Sequence, residues 1–328
     1  MTRLYAVGGR QKKGVTDRTE EWHHYEAGVV AAVDADTGRI ESCTEYVSPP
    51  EACAENDPSI TFKTATLEGG KLFVPTQTEI LVYDLPAFTC SRYVSIPYFN
   101  DVHHVRPGAN GTLLVANTGL DMVVEVGADG AVCREWSAID EDPWIRFSRD
   151  IDYRKVVTTK PHRAHPNHVF TMDGEIWVTR CNHHDIRCLT ADLNHIVIGE
   201  TYIHDGVAYG DGVYFTVVRG EIVIVDRGER VVRRRVDLNK IVGDGPPLGW
   251  CRGIELLDDR HAVVGFSRLR PTKWEQNLRW VKRQLGGKGT GLLPTRIALV
   301  DLSAERFVWE VDLEPGGLNA VFSIHLAG

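Results

Sequence analysis

The sequence predicts an all-β fold, a six-bladed β-propeller, and three observations carry that prediction. A strand–turn–strand motif recurs five times, further short apolar strands follow most copies, and the two chain ends carry complementary halves of a sixth copy. The five copies are FKTATLEGGKLFVPT (62–76), VHHVRPGANGTLLVANT (102–118), NHVFTMDGEIWVTR (167–180), DGVAYGDGVYFTVVR (205–219) and RGIELLDDRHAVVGFSR (252–268). Their Gly69-Gly70, Asp173-Gly174 and Asp211-Gly212 dipeptides are hairpin signals, because such turns need backbone that glycine, asparagine and aspartate adopt most easily. Third strands follow as EILVYDL, MVVEV, EIVIVD and RIALVDL, and fourth strands as RVVRRRVDL and RFVWEVDL. Four antiparallel strands per unit, repeated around an axis, make a propeller blade.

The ends supply the sixth blade. GLNAVFSIHLAG at the C-terminus matches only the first strand of the motif, RLYAVGG at the N-terminus only the second, and GVVAAVDADTG the third. Blade 1 is therefore split between 1–47 and 316–328, and 1–328 reads as a single propeller domain. Joining the halves removes open sheet edges. Two stacked β-sandwiches would also show short strands and frequent turns, but would not need half-motifs at the two termini.

Composition narrows the function classes. The chain has 328 residues, 43% of them apolar and 25% charged, as in soluble globular proteins. A net charge of -8 argues against a general nucleic-acid binder, which needs a basic footprint. The N-terminal stretch MTRLYAVGGRQKKG has no apolar run suited to a signal peptide or a membrane span, and no membrane association is expected. Seven scattered cysteines without metal-type spacing read as free thiols in a reducing cytoplasm.

The spacing of the copies locates a site. The aligned apolar residue of the first strand falls at Ala65, Val105, Val169, Val207, Ile254 and Val321, and the longer intervals mark insertions. These are RQKKGVTDRTEEWHHYEAG, DEDPWIRFSRDIDYRKVVTTKPHRAH and RPTKWEQNLRWVKRQLGGKGTGLLP. Loops after strands two and four of an up-and-down blade emerge on one face, so all three are expected around one channel mouth. The last insertion predicts a short helix within about 271–290, from Lys273 to Gln284, with Trp274, Leu278 and Val281 on one face. A fixed cap, a substrate lid and a partner contact are all open readings of it.

The residues just before each aligned position form a polar ring. Two positions before it stand Lys63, His103, Asn167, Asp205, Arg252 and Asn319; one position before stand Thr64, His104, His168, Gly206, Gly253 and Ala320. Converging donors, acceptors and charges favour a ligand site. His103, Asn167, Asp205 and Asn319, with His204 beside them, offer the imidazole, carboxylate and amide donors of a divalent-metal site for Zn, Mn, Fe, Mg or Ca. His104 and His168 are candidate proton carriers, and Arg252 a candidate for steadying developing negative charge. Lys63, Arg10, Asn117, Arg180, His183 and Arg268 are candidate substrate contacts on the same face. The alternative is that the histidines bond backbone groups across a water-filled channel.

With these residues in place the chain resembles the six-bladed superfamily of senescence-marker protein/gluconolactonase and strictosidine-synthase-like propellers. Pro166-Asn167-His168, Asp205-Gly206-Val207 and Asn100-Asp101 carry the resemblance. It implies Asn167 and Asp205 as metal ligands and hydrolysis of a lactone through a polarised carbonyl and an activated water. The chain departs from the pattern at Leu318-Asn319-Ala320, where the family has Glu-Gly-Pro, and at His103, His104 and His168. The expectation is a metal-dependent enzyme acting on a small polar or anionic molecule, a lactone or related ester. The alternatives are a lyase or cyclase on the same site, or a non-catalytic binding scaffold.

Overall fold

The computed structural model describes residues 2–16, 18–199, 201–243, 245–269 and 293–328. The helix expected from Lys273 to Gln284 lies outside the described residues.

The chain opens with β1 (Arg3–Gln11), β2 (Tyr25–Asp34) and β3 (Ile40–Tyr46). Blade 2 follows as β4 (Thr66–Glu68), β5 (Lys71–Pro75), β6 (Ile80–Asp84) and β7 (Thr89–Val94), and blade 3 as β8 (Val102–Pro107), β9 (Leu113–Asn117), β10 (Met122–Val126) and β11 (Val132–Ser137). Blade 4 contains β12 (Pro166–Met172), β13 (Glu175–Arg180), β14 (Asp185–Cys188) and β15 (Ile196–Val197). Blade 5 contains β16 (Ile203–Tyr209), β17 (Gly212–Val217), β18 (Glu221–Asp226) and β19 (Val232–Asp237), and then a one-turn helix, α1 (Leu238–Val242), capped by the Asp237 carboxylate. Blade 6 contains β20 (Trp250–Leu256), β21 (His261–Ser267), β22 (Arg296–Asp301) and β23 (Arg306–Asp312). The last strand, β24 (Ala320–Leu326), returns to pair antiparallel with β1, so the first sheet is ordered β24-β1-β2-β3. The six-bladed propeller closed by the two chain ends is the architecture expected from the repeats.

The burial pattern explains the strand sequences. Middle strands such as β6 and β17 read as continuous apolar runs because blades cover both of their faces. Outer strands such as β23 alternate exposed and half-buried residues. Between blades 5 and 6, Ile222, Ile224 and Val236 pack with Cys251, Ile254, Val264 and Phe266. Fully burying each such aliphatic or aromatic side chain stabilises the fold by about 1.5–3 kcal/mol. At the closure, Gly8 has no room for a side chain: a Cβ there would lie 1.8 Å from the Ala320 carbonyl oxygen.

One buried carboxylate ties blade 1 to blade 2. Glu79 is fully buried and accepts hydrogen bonds from Tyr46 Oη (2.6 Å), Tyr93 Oη (3.0 Å), Thr76 Oγ1 (2.9 Å) and Ser48 Oγ. A Glu79→Leu variant strands these hydroxyls, at roughly 1–3 kcal/mol for each one that finds no water. We expect a loss of about 3 kcal/mol or more in urea unfolding; an unchanged midpoint would show that the cluster contributes nothing.

Candidate active site

The inner strands reach the channel mouth through a repeated irregularity. Register shifts occur near the starts of β8 (Val102/His104), β12 (Pro166/His168), β16 (His204/Val207) and β20 (Cys251/Ile254). A left-handed residue accompanies each: Asp101 (φ 46°), His165 (φ 55°), Asp205 (φ 64°) and Gly253 (φ 78°). Bulges of this kind re-aim side chains, and strained non-glycine backbone gathers at functional sites.

A pocket of about 140 Å³ opens above the inner strands. Its floor carries Lys63, Asp101, His103 and Arg252. The first insertion contributes Glu21 and Trp22, and the second contributes Arg154, Thr158, Lys160 and His165. Residues between β3 and β4, including Ser48, Cys53 and Ser59, complete the wall.

Asp101 and His103 stand side by side in this floor. The His103 ring is buried, and its Nδ1 lies 2.8 Å from the Asp101 carbonyl oxygen and 3.7 Å from the carboxylate. A carbonyl oxygen only accepts, so Nδ1 carries the proton and Nε2 keeps its lone pair. Burial pushes His103 down to about 3, against the pull of Asp101. Burial also works against the Asp101 carboxylate, yet His103, Lys63 and His162 hold it below the usual carboxylate range. Lys63 Nζ lies 3.4 Å from Asp101 Oδ1 and 5.1 Å from the Phe322 ring centroid, and the Arg252 guanidinium lies over Trp250 and Phe322. The floor therefore combines an unprotonated imidazole with two cations and one carboxylate.

The other sequence candidates are placed elsewhere. His104 lies deeper in the channel, stacked on His168 with ring centroids 3.6 Å apart. Val169 N–H donates to His104 Nδ1 (3.1 Å), and Thr66 Oγ1, which donates to the Val105 carbonyl, lies 3.0 Å from His104 Nε2. Both His104 nitrogens are thus engaged in holding blades 2, 3 and 4 together. Asn117 is fully buried, accepting from Asn100 N–H and donating to the Tyr98 carbonyl. Arg180 is buried and spends its guanidinium on Asp185 and the Ala138 carbonyl. Arg10 pairs with Glu26 and Glu45, Arg268 with Glu314 and Gln11, and His183 is exposed. None of these seven residues lines the pocket.

Two of the donors expected to hold a metal are engaged with other partners. The Asp205 carboxylate accepts from Thr216 Oγ1 and from Gly253 N–H (3.0 Å), which ties blade 5 to blade 6; burial raises it to about 6 against those bonds. Asn319 Oδ1 accepts from Gln11 N–H (2.9 Å), and Asn167 Nδ2 donates to the Ile203 carbonyl and approaches His204 Nε2 at 3.3 Å, while Asn167 Oδ1 is buried without a hydrogen-bond partner among the described residues. Among the described residues, no group of three or more His, Cys, Asp or Glu side chains could hold a metal ion. Asp205 and Asn319 are thus spent on structural hydrogen bonds, whereas His103 Nε2 and Asn167 Oδ1 keep their lone pairs.

Sequence reasoning gave no role to Asp101, His165 or the segment between β3 and β4. The His162, His165 and His168 series at the end of the second insertion was the available signal for His165. Asp121 was missed too, and it fixes that loop: its carboxylate accepts the backbone N–H groups of Arg163 (2.8 Å), Ala164 and His165 (2.9 Å each), and Arg146 Nη1 lies 3.4 Å away. Asp121→Ala leaves three amides without their acceptor. We expect hydrogen exchange at Arg163, Ala164 and His165 to accelerate by about tenfold or more, with the blade cores unchanged; unaltered protection would deny Asp121 this role.

No family profile matches this chain, and no curated protein matches it in sequence. Solved structures share its fold. A protein of unknown function from Bacteroides caccae is 14% identical, with 99% of this chain and 98% of that chain covered, at a TM-score of 0.62. A streptogramin B lyase is 12% identical, with 94% and 88% covered, at a TM-score of 0.50. At these identities the likeness establishes the propeller architecture alone. Among the described residues, no helix is long and apolar enough to cross a membrane.

Proposed function

We propose that the chain is an enzyme that cleaves an ester or lactone bond in a small polar or anionic substrate held at the channel mouth. The carrying observation is His103, with its Nδ1 tied to the Asp101 carbonyl and its unprotonated Nε2 available on the floor of a pocket that also presents Lys63 and Arg252. In this reading a water gives a proton to His103 Nε2 as its oxygen adds to the carbonyl carbon. The Asp101 carboxylate stabilises the imidazolium so formed. The negative charge developing on the carbonyl oxygen is met by Lys63 and Arg252. When the carbon–oxygen bond breaks, the departing alkoxide takes the proton back from His103. The same base could begin an elimination, which the name of the streptogramin B lyase brings to mind; no observation on this chain favours that over hydrolysis.

The test is turnover of a panel of small lactones and aryl esters, with products identified by mass. Hydrolysis adds the elements of water and elimination does not. Turnover with water added supports the reading; an unsaturated product of unchanged total mass moves it to the lyase class; no turnover leaves the binding-scaffold alternative standing.

A further inference from the structure

The second insertion places another histidine beside His103, and its hydrogen bonds fix which ring nitrogen carries the proton. His165 lines the pocket, and its ring stands edge-on to His103 with centroids 4.8 Å apart. Its Nδ1 lies 3.0 Å from Nδ1 of His162, so one of these two nitrogens is protonated and the other is not. Thr159 decides which. Its hydroxyl lies 2.6 Å from the Gly119 carbonyl, the shortest contact it makes, and gives its one hydrogen there. His162 Nε2, 3.4 Å from Thr159 Oγ1, then faces an oxygen that can only accept from it. A neutral His162 is therefore protonated at Nε2 and bare at Nδ1. His165 must donate from its own Nδ1, which leaves His165 Nε2 unprotonated. The backbone of His165 is pinned by Asp121 through its N–H and by Cys181 N–H, which donates to its carbonyl (3.1 Å), in a left-handed conformation.

Resting on the reading of the pocket as a general-base site, we propose that His103 and His165 work as a pair: each accepts one O–H of a single water through an unprotonated Nε2, so that the water's lone pairs face the bond to be cleaved. One proton then passes to one ring as the water oxygen bonds to carbon, and the other ring keeps its hydrogen bond to the remaining O–H. No further proton acceptor is required. His162 and Thr159 are positioning residues that keep His165 in the accepting tautomer.

Two readouts test the pair. Long-range proton–nitrogen NMR spectra of the 15N-labelled protein should show both His103 and His165 protonated at Nδ1; an Nε2–H on either ring overturns the proposal. The second readout is a double-mutant cycle on 4-nitrophenyl acetate and δ-valerolactone. His165→Asn keeps an N–H for His162 but removes the Nε2 acceptor, so its thermal midpoint should hold while turnover falls about 100-fold. Adding His165→Asn to His103→Asn should change the rate by no more than about twofold, because the second acceptor is useless without the first. Independent, multiplying losses would overturn the pair while leaving His103 as a lone base. If wild-type protein turns over neither probe, the esterase reading fails, and the NMR tautomers alone decide whether the two acceptors exist.

Discussion

The His103→Asn variant is expected to fold like the wild type and to lose about 10²- to 10⁴-fold of its turnover, the usual contribution of a positioned general base. Asparagine can still donate to the Asp101 carbonyl, where Nδ1–H donates now, so the bulge at the start of β8 keeps its local bond. What disappears is Nε2, the one atom in this reading that accepts the proton of the attacking water. The loss should appear in kcat with little change in KM, because the base acts in the transition state. Arg252→Gln should behave differently. It removes a cation opposite the developing oxyanion, which costs about 10²-fold or more in kcat, and for an anionic substrate it should raise KM as well. Equal activity in wild type and His103→Asn, with both folded by circular dichroism, would remove His103 from the mechanism.

Acidification is expected to destabilise the fold well above the range in which carboxylates protonate. Burial lowers His103 and His168 to about 3 and His325 to about 4, and lowers His104, His162, His165 and His204 as well. Each of these rings is neutral in the folded protein but titrates near its ordinary value, about 6.5, once unfolded. Below that value the unfolded chain binds more protons than the folded one, so stability falls as pH falls. The contribution of each group is complete above its unfolded pKa and lost towards its folded one. While that difference persists, each ring costs about 1.4 kcal/mol per pH unit. Asp205 at about 6 and Glu255 at about 7 have the opposite sign, since burial favours their protonated forms in the folded state. The histidines outnumber them, and the net direction is destabilisation. We expect the thermal midpoint to drop by about 10 °C or more between about pH 7 and about pH 5. A midpoint that holds steady over that interval would mean that these rings are not buried in their neutral forms.

The strand plan was legible because a propeller writes it into the sequence repeatedly. β5, β13, β17 and β21 each carry an apolar run after a turn, and the split ends matched the pairing of β24 with β1. The site was legible only in part, for a physical reason. Alignment gives the height of a residue along the channel but not the direction of its side chain, and the bulges at the starts of β8, β12 and β16 redirect the chain where direction matters most. Alignment found Lys63, His103 and Arg252, which share the pocket floor. It could not foresee that Asp205 turns towards Thr216 and Gly253, or that Asn319 caps the Gln11 amide. Nor does residue type separate a surface arginine from Arg180, whose partner Asp185 lies on the neighbouring strand β14. His165 belongs to an irregular loop with no counterpart in the other blades, and its position depends on Asp121, more than forty residues earlier. Repeats cannot report a contact that occurs once.

The most direct test of the account is the pH dependence of kcat/KM for a small lactone between about pH 5.5 and about pH 8, in the wild-type protein and within the range where circular dichroism shows it folded. His103, held near 3 by burial and facing Asp101, Lys63 and Arg252, is already the base throughout this interval, so the account predicts a flat acid limb. A rate that falls about tenfold towards pH 5.5, with a midpoint near the ordinary imidazole value of about 6.5, would place the working base on an exposed histidine and contradict the buried Asp101–His103 centre.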